Sequence, residues 1–304
     1  MSDDAEFGLV EPEEADGVGD EWESIDVSDT EADEIARTRD REFSEFRKRI
    51  KNTEQFKVTD SVFDDATYGA LYKLVQDGHI DAFGGPISTG KEANVYTALG
   101  GGSEARSATG ASGEDGPRDN EVAVKVYRIN ASDFRDMRGY LDGDPRFEGI
   151  GSDKKKVVTA WVRKEFANLQ RAKKAGVRVP NPIAVQRNVL VMEYIATEEG
   201  RAKRLNEVHI ENPETAFEVV REYMRRLQDA GLVHGDLSEY NIVFHEGQLV
   251  VIDLGQAVTV HHGNAHEYLE RDCENVANFF SRQGVDVTTD DLFDFVTRAD
   301  EDDE

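Results

Sequence analysis

Asp236 and Asn241 stand in the run HGDLSEYN with four residues between them, and Asp253 follows in VVIDLG after the intervening IVFHEGQLVV. Phosphoryl transfer needs a base or orienting group beside the attacking oxygen, and hard oxygen ligands for the magnesium that neutralises the phosphates. These three residues supply both. Asp, Asn and Gly also make ordinary turns, which would account for either half alone. The two halves joined by a hairpin, with LVVI buried and the final Asp at the strand end, point instead to three oxygen donors on one edge of a small sheet.

A second pair of residues would form the opposite wall. EVAVKVYRI, from Glu121, alternates as a strand does, with Val122, Val124 and Val126 on one face and Ala123, Lys125 and Tyr127 on the other. A lone lysine on such a strand ordinarily snorkels to solvent. The helix predicted over about 155–175 changes that, because Glu165 falls inside its apolar stripe of Val158, Trp161, Val162, Phe166 and Leu169. A carboxylate there is costly unless paired, and Lys125 is the natural partner. Such an ion pair positions the phosphates of a nucleotide. Ahead of Lys125, between two short strands, lies STGKEANVY, whose Ser88, Gly90 and Lys91 could cradle phosphate oxygens. It is neither a Walker motif nor a three-glycine loop.

These residues need positioning elements, and the chain provides them in order. An acidic disordered tail is expected over 1–50, a helical element over 51–80, and a lobe of strands plus one helix over 81–195. That lobe carries a mobile insertion at 100–120 and an irregular loop at 131–153. A mainly helical lobe follows over 196–285, then a last helix and acidic tail over 286–304. Asn212 and Pro213 open one helix of the second lobe and Gly231 closes it.

Composition narrows the class. Asp and Glu number 63 against 36 Lys and Arg, a net charge of −27 in 304 residues. So acidic a surface repels nucleic acid at low salt, and sequence-specific DNA binding is not expected. The acidic residues run along the whole chain, as adaptation to high salt would produce. Cys273 is the single cysteine, so no intrachain disulfide can form and a reducing cytoplasm is expected. No signal-like N-terminus and no run of eighteen apolar residues are present, so a membrane role is not expected.

Taken in order, STGKEANVY, VAVKVY, the WVRKEFANL helix, VMEYI, HGDLSEYNIV and VIDLGQAV resemble the RIO family of atypical serine kinases, specifically its first subgroup and an archaeal, halophile-like form. GDPRFEG and HEYLERDCENVANFF agree further, and the likeness spans about residues 60 to 285. The resemblance implies an α+β, two-lobed protein-kinase-like fold: an antiparallel N-lobe sheet with helix C, and a small helical C-lobe lacking the usual peptide-docking subdomain. ATP would lie between the lobes, its adenine at the linker around Met192, Glu193 and Ile195, its phosphates near Ser88, Lys91 and Lys125. Asn241 and Asp253 would hold magnesium or manganese, and Asp236 would be the catalytic base. In the family the metal-binding aspartate, here Asp253, can itself accept phosphate, which implies ATPase activity beside transfer to serine. The implied partner is a precursor of the small ribosomal subunit, contacted through local basic patches such as Lys154-Lys155-Lys156. The 131–153 loop resembles the family's flexible, self-phosphorylated loop; among Ser132, Ser152 and Thr159, Ser132 is the favoured acceptor.

Departures from ordinary protein kinases set the alternatives. Gly235 replaces the usual Arg before the catalytic Asp, Leu254 replaces the Phe after Asp253, and no A-P-E motif follows. Only 49 residues come after Gly255, too few for an activation segment and a peptide-docking subdomain. A small-molecule kinase of the aminoglycoside or choline type can also read HGDL…N then ID, but needs a larger C-lobe. A non-catalytic, nucleotide-dependent assembly scaffold would not need the full set of catalytic groups found here. His261, His262 and His266 have no carboxylate or cysteine at zinc-site spacing around them.

Overall fold

The alternating run EVAVKVY forms β3 (Glu121–Tyr127), the middle strand of a five-stranded sheet in the computed structural model. The described residues are 41–52, 63–101, 120–129, 134–147 and 153–298, with Leu9, Ile25 and Ile150. Most of the insertion, the acidic tail before residue 41, Ser132 and Ser152 lie outside them. β1 (Ile80–Thr89) and β2 (Ala93–Gly100) make the hairpin around Gly90, and β4 (Pro182–Gln186) and β5 (Val189–Glu193) make a second. The strand order is β1, β2, β3, β5, β4, every neighbour antiparallel, with Lys125 opposite Val95 on one side and Leu190 on the other.

Each face of this sheet buries against a different partner, which is why all residues of β3 after Glu121 are buried. Val122, Val124 and Val126 join Val189 and Val191 in a core with Leu71 and Leu74 of α2 (Asp65–Gln76) and Phe43, Phe46 and Ile50 of α1 (Arg41–Asn52). The expectation of a disordered tail through residue 50 is therefore corrected at its end. Phe43, Phe46 and Ile50 recur at helical spacing among charges, and the Phe43 and Phe46 rings meet Tyr72 at centroid distances of 5.7 and 5.4 Å. Average composition hides that stripe.

The opposite sheet face receives α4 (Lys154–Lys174), capped by Asp153, which accepts from Lys155 N at 2.8 Å, and ended by Gly176 at φ 75°. A short helix, α3 (Phe134–Leu141), leans on α4 through Met137 and Leu141. From α4 a continuous apolar core runs into the second lobe. There α5 (Pro213–Asp229) starts as expected, with Asn212 accepting from Thr215 N at 3.2 Å and Pro213 at its first turn. Short pairs β6 (Ala196–Thr197) with β7 (Gly200–Arg201), and β9 (Leu232–Val233) with β12 (Val258–Thr259), frame the connections. β8 (Lys203–Arg204) joins the hairpin β10 (Ile242–His245) and β11 (Gln248–Val251). Helices α6 (Ala265–Arg282) and α7 (Thr289–Thr297) complete the lobe. The arrangement is α+β in two lobes, and among the described residues no helix is long and apolar enough to cross a membrane.

Candidate active site

Lys125 leaves β3 toward the groove between the lobes, where its ammonium meets two carboxylates: Glu165 Oε1 at 2.7 Å and Asp253 Oδ1 at 2.8 Å. The first comes from α4 and the second from the end of the β10–β11 hairpin, so one cation ties strand, helix and opposite lobe together. Burial alone would lower the Lys125 pKa, but Asp253 and then Glu165 outweigh it and hold the ammonium well above the ordinary lysine value. Burial pushes Glu165 up against the pull of Lys125, whereas Lys125 holds Asp253 below the usual carboxylate range. Glu165 is 1% exposed, and the Asp253 side chain is 54% exposed into the groove. Glu165 thus backs the lysine while Asp253 faces whatever enters.

Asp253 sits at φ 64°, a left-handed conformation that costs a non-glycine residue of order 1 kcal/mol. Its neighbours hold it there: Ile252 N donates to Asn241 O at 2.9 Å, binding the hairpin's exit to the loop before it. After Asp253, α4 grips the backbone. Lys164 Nζ donates to Gly255 O at 2.9 Å, and Asn168 Nδ2 donates to Leu254 O and Ala257 O at 3.0 and 2.9 Å. Burial, then the nearby Arg146, pushes the Lys164 amine well below its ordinary value. Arg146 in turn donates to Asn168 Oδ1 at 2.8 Å and is paired with the buried Asp144. A Cβ at Gly255 would lie 3.2 Å from Trp161 Nε1 and 3.3 Å from Tyr127 OH, so the backbone passes these two side chains closely and any larger residue would have to push them aside by a few tenths of an ångström.

The catalytic-loop candidate, 234–241, is held from below by α6. Asp272, 1% exposed, accepts from Gly235 N at 2.7 Å and Leu237 N at 2.8 Å. Arg271 donates to Gly235 O, and Asn275 Nδ2 to Leu237 O at 3.1 Å. Burial drives the Asp272 carboxyl up to about 7 in spite of the two amides. Gly235 at φ 78° brings its backbone against Gln256 O, 3.1 Å from where a Cβ would stand. Asn241 Nδ2 donates to Asp236 O at 2.7 Å and reaches Asp236 Oδ2 at 3.2 Å, which leaves Oδ1 as the acceptor atom of that amide. His234 accepts from Asp236 N at 3.3 Å through Nδ1, so its proton belongs on Nε2 facing Ile252 O at 3.2 Å. Burial lowers the pKa of that ring, keeping it neutral.

Between these walls lies a cleft of about 710 Å³. Of the residues singled out in the sequence, Ser88, Lys91, Lys125, Met192, Glu193, Ile195, Asn241 and Asp253 line it. Glu165 lies behind Lys125, and Asp236 lies beside Asn241 rather than among the lining residues. The Glu193 carboxylate is committed to Arg178, at 2.8 and 2.5 Å, and to Asn181 N at 3.0 Å, so that residue offers the cleft its main chain. Arg204 also lines the cleft and adds to the lowering of Asp253. The donor set fits magnesium, which takes one or two carboxylates together with phosphate oxygens rather than an all-protein cage. Among the described residues no group of three or more His, Cys, Asp and Glu is placed to hold a metal ion by itself. His262 instead faces Asp142 O at 3.1 Å, and His266 pairs with Glu270 at 3.3 Å.

Asp236 could act as a base only when ionised. Burial raises its pKa, with the ionised Asp253 adding to the rise and the hydrogen bond from Asn241 opposing. Activity should therefore fall as pH drops through a value above the ordinary aspartate range. A pH–rate profile whose acid limb sits at or below a free aspartate, near about 3.9, would contradict this assignment.

Asp272, Asn168 and Tyr127 are the residues that the sequence patterns left unassigned. Asp272 lies in the stripe of Leu269, Cys273, Val276 and Phe280, so the rule that flagged Glu165 would have flagged it. Thr159, by contrast, is 8% exposed and donates to Lys155 O at 2.9 Å, which takes it out of reach as a phosphate acceptor.

The RIO domain family matches residues 94–292. The chain is 69% identical to the RIO-type serine/threonine-protein kinase Rio1 of Haloferax volcanii, over 96% of this chain and 95% of that one. Identity to the Rio1 of Methanocaldococcus jannaschii is 36%, over 85% and 84% of the two chains. To the human serine/threonine-protein kinase RIO1 it is 37%, over 82% of this chain and 42% of the human one. Among solved structures, the Rio2 kinase of Chaetomium thermophilum, in complex with ADP/Mg2+ and phosphoaspartate, superposes with a TM-score of 0.54 at 22% identity. That superposition covers 77% of this chain and 67% of the other, and it shows a shared fold.

Proposed function

From the chain's membership of the RIO family of serine/threonine protein kinases, we propose that it transfers the γ-phosphoryl group of ATP to serine, on itself and on a partner, and through Asp253 to water. The observation that carries this reading is the Lys125 ammonium held at once by Glu165 and Asp253 on the wall of a nucleotide-sized cleft. Entering phosphates would compete with Asp253 for Lys125, which is already charged and already aimed at the groove. Magnesium, when bound by Asn241 Oδ1 and the Asp253 carboxylate, supplies positive charge against the phosphate oxygens. Main-chain groups of Met192, Glu193 and Ile195 would carry the adenine, and the Ser88–Lys91 turn would cover the phosphates.

Asp236 would take the proton of the acceptor serine as its oxygen bonds to phosphorus and the bond to ADP breaks. In the hydrolytic branch the Asp253 carboxylate would displace ADP, and water would then cleave the acyl phosphate to inorganic phosphate and the original carboxylate. The setting that the family resemblance implies is maturation of the small ribosomal subunit. Co-sedimentation with subunit precursors in ATP against ADP, together with phosphopeptide mapping after incubation with MgATP, tests both halves. Label on Ser132 and nucleotide-dependent co-sedimentation are expected. Pure protein that neither labels itself nor releases phosphate would refute the enzymatic reading.

A further inference from the structure

The Lys125–Glu165 pair has a third member. Tyr127 stands two residues after Lys125 on β3, so both side chains leave the same face of the sheet. Its hydroxyl donates to Glu165 Oε2, while Lys125 holds Oε1 at 2.7 Å. Each oxygen of a carboxylate that is 1% exposed thereby has one partner, and Tyr127 itself is 1% exposed. The Lys125 ammonium lies 5.1 Å from the centroid of the Tyr127 ring, so the tyrosine touches both ends of the pair. The same hydroxyl borders the loop after Asp253, where a Cβ on Gly255 would stand 3.3 Å from it.

We infer that Tyr127 is a positioning residue for the nucleotide site, fixing Glu165 so that Lys125 stays shared between helix α4 and the cleft. The physical reason is competition for three ammonium protons. A buried carboxylate oxygen without a donor is costly. If the hydroxyl is removed, Glu165 recovers that cost by drawing the ammonium toward itself, away from Asp253 and the phosphate side. The inference rests on the proposed role of Lys125 as the residue that holds the ATP phosphates.

The test is a double-mutant cycle read by steady-state kinetics with MgATP, using Tyr127→Phe, Glu165→Gln and the two combined. Tyr127→Phe keeps the ring and its packing. It should raise KM for MgATP about tenfold, the scale of a lost hydrogen bond to a charged group, while kcat changes less than about threefold. In the Glu165→Gln background the same replacement should shift KM by less than about twofold, because the group it acts through has already changed. An unchanged KM in Tyr127→Phe overturns the inference, and so does a full tenfold effect that persists without Glu165. A Tyr127→Phe protein that no longer melts cooperatively would assign the hydroxyl to folding and overturn it too. Failure of the wild-type chain to turn over MgATP would instead sink the proposed function, and it is visible without any variant.

Discussion

Asp253→Ala is expected to abolish both serine labelling and ATP hydrolysis, a loss on the order of 10³-fold or more, while leaving a folded protein. Its carboxylate is the oxygen donor that faces the cleft and the 2.8 Å partner of Lys125. Removing it takes away the proposed metal ligand and phosphate acceptor and leaves Lys125 with Glu165 alone. The side chain is 54% exposed, and Lys125 keeps Glu165, so stability should move by no more than about 1 kcal/mol. Nucleotide affinity should survive better than turnover, because a phosphate can take the place of the lost carboxylate beside Lys125. Measuring phosphate release, serine labelling, hydroxylamine-sensitive label and ADP affinity separates these effects. Asp253→Asn, which keeps shape without charge, should lose the hydroxylamine-sensitive label as well. Persistence of that label in either variant would show that Asp253 is not the acceptor.

Asp272→Ala should be the most damaging change outside the cleft. Its two oxygens satisfy the backbone amides of Gly235 and Leu237, on either side of Asp236. Two buried amides left without acceptors cost about 1–3 kcal/mol each, so a loss of roughly 2–6 kcal/mol is expected. Arg271 and Asn275 still hold the carbonyls of the same loop, which should keep it near its place. A displacement of about 1 Å at Asp236 is nonetheless enough to cost on the order of 10²-fold in kcat. KM for MgATP should change little, since Asp272 lies under the loop and away from the cleft lining. Denaturant unfolding beside steady-state kinetics checks this. A variant as stable as wild type, or one whose main defect is in KM, would contradict it.

Local patterns were enough for much of the site. Lys125 was legible because one charge interrupts an alternating strand, and Glu165 because one carboxylate interrupts a helical apolar stripe; each anomaly has a cost that a partner must offset. The caps at Asn212 and Gly231 were legible for the same local reason, since helix ends expose backbone groups that particular residues satisfy. The α1 helix was missed because its three apolar residues are outnumbered by charges, and its burial depends on Tyr72 and Leu71 arriving from another helix. Asp272 was missed although the rule that finds Glu165 applies to it equally.

By itself, then, the sequence determined which residues have chemistry to offer and which faces must be covered, because side-chain type and spacing of 2 or 3.6 residues are local properties. It read Asp236, Asn241 and Asp253 as oxygen donors on one edge of a small sheet, and set Lys125 and Glu165 apart from them as an opposite wall. Only the tertiary structure decided that Lys125 bridges Glu165 and Asp253 across 128 positions of chain, that Tyr127 completes the pair, and that α6 supports the loop carrying Asp236. Those contacts depend on how two lobes close on one another, and a carboxylate buried by packing looks in sequence like any other Asp or Glu until its neighbours are in place.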